Sequence, residues 1–248
     1  MSFSEFLAQR DKKRLVHIHI PKTAGTAVNR FFNDAEFFFN AGHAGYCLDS
    51  RVLGRVRVNK SLFRKCQVWP EYRNLVTPED IVFSTTRNPF SWLVSYYHHE
   101  GSGRFGLFKH YGWQGCVDIY GFRSFSEFID CFLDATDWHF PPLLKSPLGQ
   151  ILNDEGRYRA DFIIASETLT KSIPLLADHF GYVSSTPLSL VNLGPVKDDY
   201  RRFYTSRQVD KIFDRFLPFF KLTGYGFESK FVGGEEFIFK PLKQERAG

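Results

Sequence analysis

Apolar positions along the chain change their period in a way that outlines strands and helices before any chemistry is considered. Leu15 to Ile20 alternates apolar residues with His17 and His19 and stops at Pro21, which predicts a short strand entering a turn. Thr26 then opens a helical pattern through Ala27, Val28, Phe31 and Phe32. The same order returns after the turn signal Thr77-Pro78-Glu79-Asp80. There Ile81 to Thr86 is a strand-like run, Asn88-Pro89 punctuates it, and Trp92, Leu93, Tyr96 and Tyr97 follow at helical spacing. Two such units predict an α/β fold with a central parallel sheet flanked by helices.

Further along, Ser124 with Glu127 fits a capping box ahead of a helix carrying Phe128, Ile129 and Phe132. Phe162 to Ala165 predicts a third buried strand, followed by a helix from about Thr168 to Phe180. Thr205 caps a last amphipathic helix with Val209, Ile212, Phe213, Phe216 and Leu217, which stops near Gly224. Residues 135–156, with several Pro and Gly, read as an irregular connection or lid. Residues 1–14 read as an N-terminal extension and 229–248 as a peripheral tail. A chain of 248 residues with 43% hydrophobic content is expected to form one core and a single domain over 1–248.

Composition narrows the partners only a little. The 17% aromatic fraction, with 28 Phe, leaves aromatic surface for a pocket, although Phe37, Phe38 and Phe39 read as core. A net charge of +5 favours anionic partners without choosing among nucleotides, nucleic acid and acidic glycans. Cys47, Cys66, Cys116 and Cys131 show no metal-ligand or disulfide spacing, so reduced thiols in a cytoplasmic protein are expected. No apolar stretch has signal-peptide or membrane-span length, and neither secretion nor a membrane span is expected.

The loop Pro21-Lys22-Thr23-Ala24-Gly25-Thr26 carries the first chemical signal. Between a strand and a helix, free backbone N–H groups and the positive end of the helix dipole converge on an anion. Gly25 permits close approach, Thr23 and Thr26 offer hydroxyl donors, and Lys22 adds a mobile charge. A phosphate or sulfate cradle is one reading of this loop and a plain connection is the other. It lacks the GxxxxGK[ST] pattern of nucleoside triphosphatases, and the strand Ile81 to Thr86 ends in Arg87 rather than in a magnesium-holding Asp. A cation there points to direct arginine contact with an anion and to no required metal.

His19-Ile20-Pro21-Lys22-Thr23-Ala24-Gly25-Thr26 resembles the 5′-phosphosulfate loop of the sulfotransferase family that includes the carbohydrate 2-O-sulfotransferases. The family's second signature, an Arg-[Asn/Asp]-Pro turn before a helix with Ser-Tyr-Tyr, is matched by Arg87-Asn88-Pro89 and Ser95-Tyr96-Tyr97. Weaker likenesses are Ala165-Ser166-Glu167-Thr168-Leu169, Asp199 to Thr205, and Gly224 to Phe227, so the resemblance spans about residues 15–228. It implies a P-loop-like sulfotransferase fold, with 3′-phosphoadenosine 5′-phosphosulfate (PAPS) as co-substrate, PAP as product and no metal. Lys22, Thr23, Ala24, Gly25, Thr26 and Ala27 would hold the 5′ end, and Arg87 with Ser95 the 3′-phosphate.

Gly42-His43-Ala44-Gly45-Tyr46 resembles the segment that supplies a base in hydroxyl-sulfating members, which makes His43 the candidate general base and Lys22 the group stabilising the leaving oxygen. The other reading of His43 is an inconsequential loop histidine. His17 and His19 read as structural residues of a buried strand, while His98 and His99 end a helix and face solvent or its C-terminus. Arg51, Arg55, Arg57, Lys60, Arg64 and Lys65 form a run that is either a solvated face or a site for an anionic acceptor. The acceptor class is a small molecule or carbohydrate bearing a hydroxyl, with no nucleic-acid partner. A P-loop small-molecule kinase and a non-catalytic PAP or polyanion-binding module are the alternatives.

Overall fold

The computed structural model describes residues 3–9, 14–20, 22–43, 77, 79–98, 124–134, 151, 160–189, 199–228 and 239–241. In chain order the elements are α1 (Phe3–Ala8), β1 (Leu15–His19), α2 (Gly25–Phe31), β2 (Phe38–His43), β3 (Ile81–Thr86), α3 (Pro89–Tyr96) and α4 (Phe125–Asp134). They continue with β4 (Phe162–Ala165), α5 (Leu169–His179), α6 (Ser206–Arg215), α7 (Leu217–Thr223) and β5 (Phe239–Pro241), with short 3₁₀ turns at Ser166–Thr168 and Tyr200–Phe203. The chain divides into two compact units, one of Met1–Thr86, Pro147–Val191 and Glu235–Gly248, the other of Arg87–Ser146 and Asn192–Gly234.

The first unit holds a five-stranded sheet in the order β2-β1-β3-β4-β5. The pairs β1–β2, β1–β3 and β3–β4 are parallel, and β5 joins β4 antiparallel. The expected α/β class with a parallel sheet is therefore what forms. β2 and β3 lie on opposite sides of β1, so the order of strands reverses direction between β1 and β3. In open α/β sheets, ligands bind beyond the carboxyl ends of the strands at such a switch point.

One face of this sheet changes character along the strands. Leu15, Ile81, Phe83, Phe162 and Ile164 join Phe3 and Leu7 of α1, Val28 and Phe31 of α2, and Ile173 and Leu176 of α5 in one apolar core. Further toward the carboxyl ends, the same face carries His17 and Thr85, also buried. Phe38 lies in the core and Phe37 packs against it, stacking on Phe180 at 4.4 Å, as expected, whereas Phe39 is half-exposed with the Arg14 guanidinium over its ring.

Several elements differ from those the pattern predicts. α1 forms inside the stretch read as an extension because Phe3 and Leu7, four residues apart, are both buried in the core. Phe239–Pro241, in the stretch read as a tail, pairs with β4 at the sheet edge. The predicted last helix is two helices, α6 and α7, meeting at Phe216. Pro218 has no N–H to offer the carbonyl four residues back, so the ladder of α6 cannot continue through it. Thr205 does cap α6 in a reciprocal box with Gln208, and Gly224 ends α7 at φ 75°.

In the second unit Phe90 is fully buried, with ring centroids of Phe227, Phe213, Tyr204 and Phe220 at 4.8, 5.2, 5.3 and 5.6 Å. The Tyr204 hydroxyl donates to the Phe90 carbonyl at 2.6 Å, and burial raises its pKa well above the usual phenol range. Gln208 links α6 to α4 by donating to Ser126 Oγ at 2.9 Å and Asp130 Oδ1 at 3.0 Å.

At the amino ends of β1 and β3, Arg14 forms a two-pronged pair with Asp80, Nε to Oδ1 at 2.8 Å and Nη2 to Oδ2 at 2.6 Å. Asp80 Oδ2 also accepts from Thr77 N at 2.7 Å, and its side chain is fully buried. Replacing Arg14 by Met leaves that carboxylate without its counter-charge and should cost about 3 kcal/mol of stability in a urea titration. Adding Asp80→Asn should recover part of the loss, because the amide oxygen still accepts from Thr77 N without burying a charge. An unchanged midpoint in the single variant would contradict this role.

Candidate functional site

The loop that leaves β1 is strained. Lys22 and Ala24 have φ of 66° and 67°, the left-handed region that residues other than Gly rarely occupy. Each such residue costs on the order of 1–3 kcal/mol, so something must hold the loop in place. Thr23 does so from between them. Its buried hydroxyl donates to the Ile20 carbonyl at 2.7 Å and lies 2.7 Å from Thr85 Oγ1 on β3. Because the single Thr23 proton goes to Ile20, Thr85 is the donor in the second bond.

Lys22, Ala24 and Thr26 are half-exposed and alternate with buried Thr23, Gly25 and Ala27. The buried members serve the fold rather than reach outward. The Thr23 hydroxyl expected to meet an anion is turned into the sheet, leaving its backbone N–H as the group it can present. The Ala27 N–H donates to Ala24 O at 2.9 Å. Gly25 is required for a reason other than the approach of an anion, since a Cβ there would collide with the His19 ring. The first-turn amides of Gly25 and Thr26 precede the bonds that Ala27 and Val28 make to Ala24 O.

Beneath the loop runs a chain of polar groups, buried except for the half-exposed Asn29. His19 Nδ1 lies 3.4 Å from Asn29 Nδ2, and Asn29 Oδ1 lies 3.2 Å from His17 Nδ1. His17 Nε2 lies 3.4 Å from Thr85 Oγ1. The two rings stack 5.5 Å apart, and His17 also stacks on Phe83 at 4.8 Å. The structural role expected of both histidines is what the geometry gives them.

His43 is the last residue of β2, not a loop residue. The register of β1 with β2 shifts between His17↔Asn40 and His19↔His43, a bulge that sets His43 rather than Gly42 opposite His19. The His43 side chain, residues 44–76 with their basic run, and all of the 135–156 connection except Ile151 lie outside the described residues.

Arg87 follows the last residue of β3 directly. Asn88 caps α3, its Oδ1 accepting from Phe90 N at 3.0 Å. Its Nδ2 donates to Gly226 O at 2.9 Å and Tyr200 Oη at 3.2 Å, and Tyr200 Oη donates to Phe227 O at 2.7 Å. Pro89 takes the first helical position, where its missing N–H costs nothing. The Asn and Pro of the motif therefore build the helix start, and the likenesses at Tyr200 and Gly226 are its anchor points.

From Asn88 to Tyr96 only Ser91 and Ser95 are half-exposed, as is Arg87 before them. Ser91 and Ser95, one turn apart, share a face of α3, and Arg87 stands just before the cap residue. Arg87 Nε donates to Ser91 Oγ at 2.8 Å. Reading the sequence by motif missed Ser91, and its position midway between Arg87 and Ser95 was the available signal. Thr86 Oγ1 is buried and has no hydrogen-bond partner among the described residues. His98 follows the end of α3, one of the two settings expected for it, rather than facing solvent fully. Its ring is half-buried against Phe203 at 5.8 Å, and burial lowers its pKa.

Among the described residues no group of three or more His, Cys, Asp and Glu is placed to hold a metal ion, and no helix is long and apolar enough to cross a membrane. No curated protein matches the chain. A family model does, with the description "Sulfotransferase family" and a match over residues 5–216, which takes in the strained loop, Arg87 with α3, and the four parallel strands. On that match the chain belongs to the sulfotransferase family.

Proposed function

We propose that the protein transfers the sulfuryl group of PAPS to a hydroxyl of a small molecule or carbohydrate. The observation that carries this reading is the pair of left-handed residues, Lys22 and Ala24, held in a strained loop at the switch point of the sheet. Strain of this kind persists where it serves a site, and left-handed residues turn successive N–H groups into an anion-binding concavity. The amides of Thr23 to Thr26 and the Lys22 ammonium would bind the 5′-phosphosulfate, with Arg87 and Ser95 on the 3′-phosphate. The buried Thr86 hydroxyl, which has no partner among the described residues, is a further donor that a bound nucleotide could satisfy.

In the transfer, the acceptor hydroxyl oxygen attacks sulfur and a new S–O bond forms. The bond from sulfur to the bridging oxygen breaks, and its electron pair leaves with PAP. The Lys22 ammonium stabilises charge developing on that oxygen, and cations of the protein do the work that a metal does on triphosphates. His43 accepts the acceptor proton. Support for His43 is its backbone position at the end of β2 opposite His19, in the strand next to the one from which the loop leaves.

Two outcomes test this reading. Arg87→Ala should weaken PAP at least tenfold in calorimetry while leaving AMP, which lacks the 3′-phosphate, nearly unchanged, since a charge-assisted bond contributes roughly 1.5–3 kcal/mol. Equal losses for both nucleotides would refute the assignment. His43→Ala should slow turnover by roughly 10² at unchanged PAP affinity, measured as PAP release with an acceptor drawn from a panel of sugars, phenols and alcohols. Turnover close to that of the unaltered protein would give the proton to another group.

A further inference from the structure

The four-residue steps of Arg87, Ser91 and Ser95 raise a problem of reach. Arg87 and Ser95 are eight residues apart, the last six steps alone covering about 9 Å of the axis of α3 at 1.5 Å per residue, and a single phosphate is far smaller than that. Both can bind one phosphate only if the arginine side chain runs along α3 toward its C-terminus. Arg87 precedes the cap residue Asn88, so helical backbone geometry does not set that direction. The bond from Arg87 Nε to Ser91 Oγ at 2.8 Å does set it, bringing the guanidinium to within one turn of Ser95.

We infer that Ser91 is a positioning residue for recognition of the 3′-phosphate, holding Arg87 along the exposed face of α3 so that Arg87 and Ser95 address the same group. This rests on the reading of Arg87 as the 3′-phosphate contact. Preorganisation is the physical gain, because an arginine that is already ordered loses less side-chain entropy when it binds. Ser91 is half-exposed at the third position of a helix, where Ala has at least equal helical propensity, so its removal does not threaten the fold.

The test is calorimetry of PAP and AMP with Ser91→Ala, Ser91→Thr, Arg87→Ala and the Ser91→Ala/Arg87→Ala double variant, with thermal melting of each. Ser91→Ala should melt with the unaltered protein, weaken PAP roughly three- to tenfold, as the loss of one side-chain hydrogen bond does, and leave AMP unchanged. Ser91→Thr should retain PAP affinity, and Ser91→Ala should add nothing once Arg87 is gone. If Arg87→Ala weakens PAP and Ser91→Ala does not, the positioning role is wrong and the donor reading stands. Additive losses in the double variant would likewise overturn it, since Ser91 would then act independently of Arg87. If Arg87→Ala leaves PAP unaffected, the donor reading fails and this inference falls with it.

Discussion

The bond between the Thr23 and Thr85 hydroxyls, 2.7 Å long and fully buried, is the constraint on which the proposed site depends. It ties the loop after β1 to the end of β3, across the point where the strand order reverses. Two neighbouring residues in left-handed conformations would relax if Thr23 could swing out, because each exceeds the conformational energy of an ordinary turn residue. Thr23 cannot do so without giving up its bond to the Ile20 carbonyl and depriving the buried Thr85 hydroxyl of its shorter contact. The loop's shape is thus fixed by polar groups beneath it, before any ligand arrives.

That arrangement follows from how one face of the sheet is composed. At the start of the strands Leu15, Ile81 and Phe162 make an apolar core with α1, α2 and α5, while His17 and Thr85 occupy the same face toward the carboxyl ends. A polar end to an otherwise apolar face is tolerable only when every group finds a partner, and the series His19, Asn29, His17, Thr85, Thr23 and the Ile20 carbonyl supplies those partners in turn. Gly25 completes it by leaving room for the His19 ring. A comparable division holds in the second unit. Asn88 and Pro89 form the start of α3, and the half-exposed Arg87, Ser91 and Ser95 are left as the groups with chemistry to offer.

Legibility in the sequence followed the range of the interactions responsible. Ile81 to Thr86 and Phe162 to Ala165 appear in the structure with the bounds that their apolar runs imply, since an interior parallel strand is buried on both faces. The loop and the Arg87 motif were readable because their residues are contiguous. β2 was missed because its six residues include Asn40, Ala41 and Gly42, which carry little strand propensity, and its place is set by pairing with β1. The split of the last helix was written in Pro218, but the apolar spacing through Phe216 and Leu217 obscured it, and Leu217 proves exposed. Neither the Thr23 to Thr85 bond nor the collision that requires Gly25 can be read locally, because each joins parts of the chain that only the sheet brings together.

The central claim is that the backbone of the strained loop receives the 5′ group of the nucleotide. Backbone amide chemical shifts measured during titration with PAP, and separately with 3′-AMP, test it most directly, because the second nucleotide keeps the 3′-phosphate and lacks the 5′ group. PAP should displace the amide signals of Thr23, Ala24, Gly25 and Thr26, while 3′-AMP should leave them in place and still displace signals around Ser95. Saturation with PAP that leaves the amides of residues 23–26 unmoved would contradict the account.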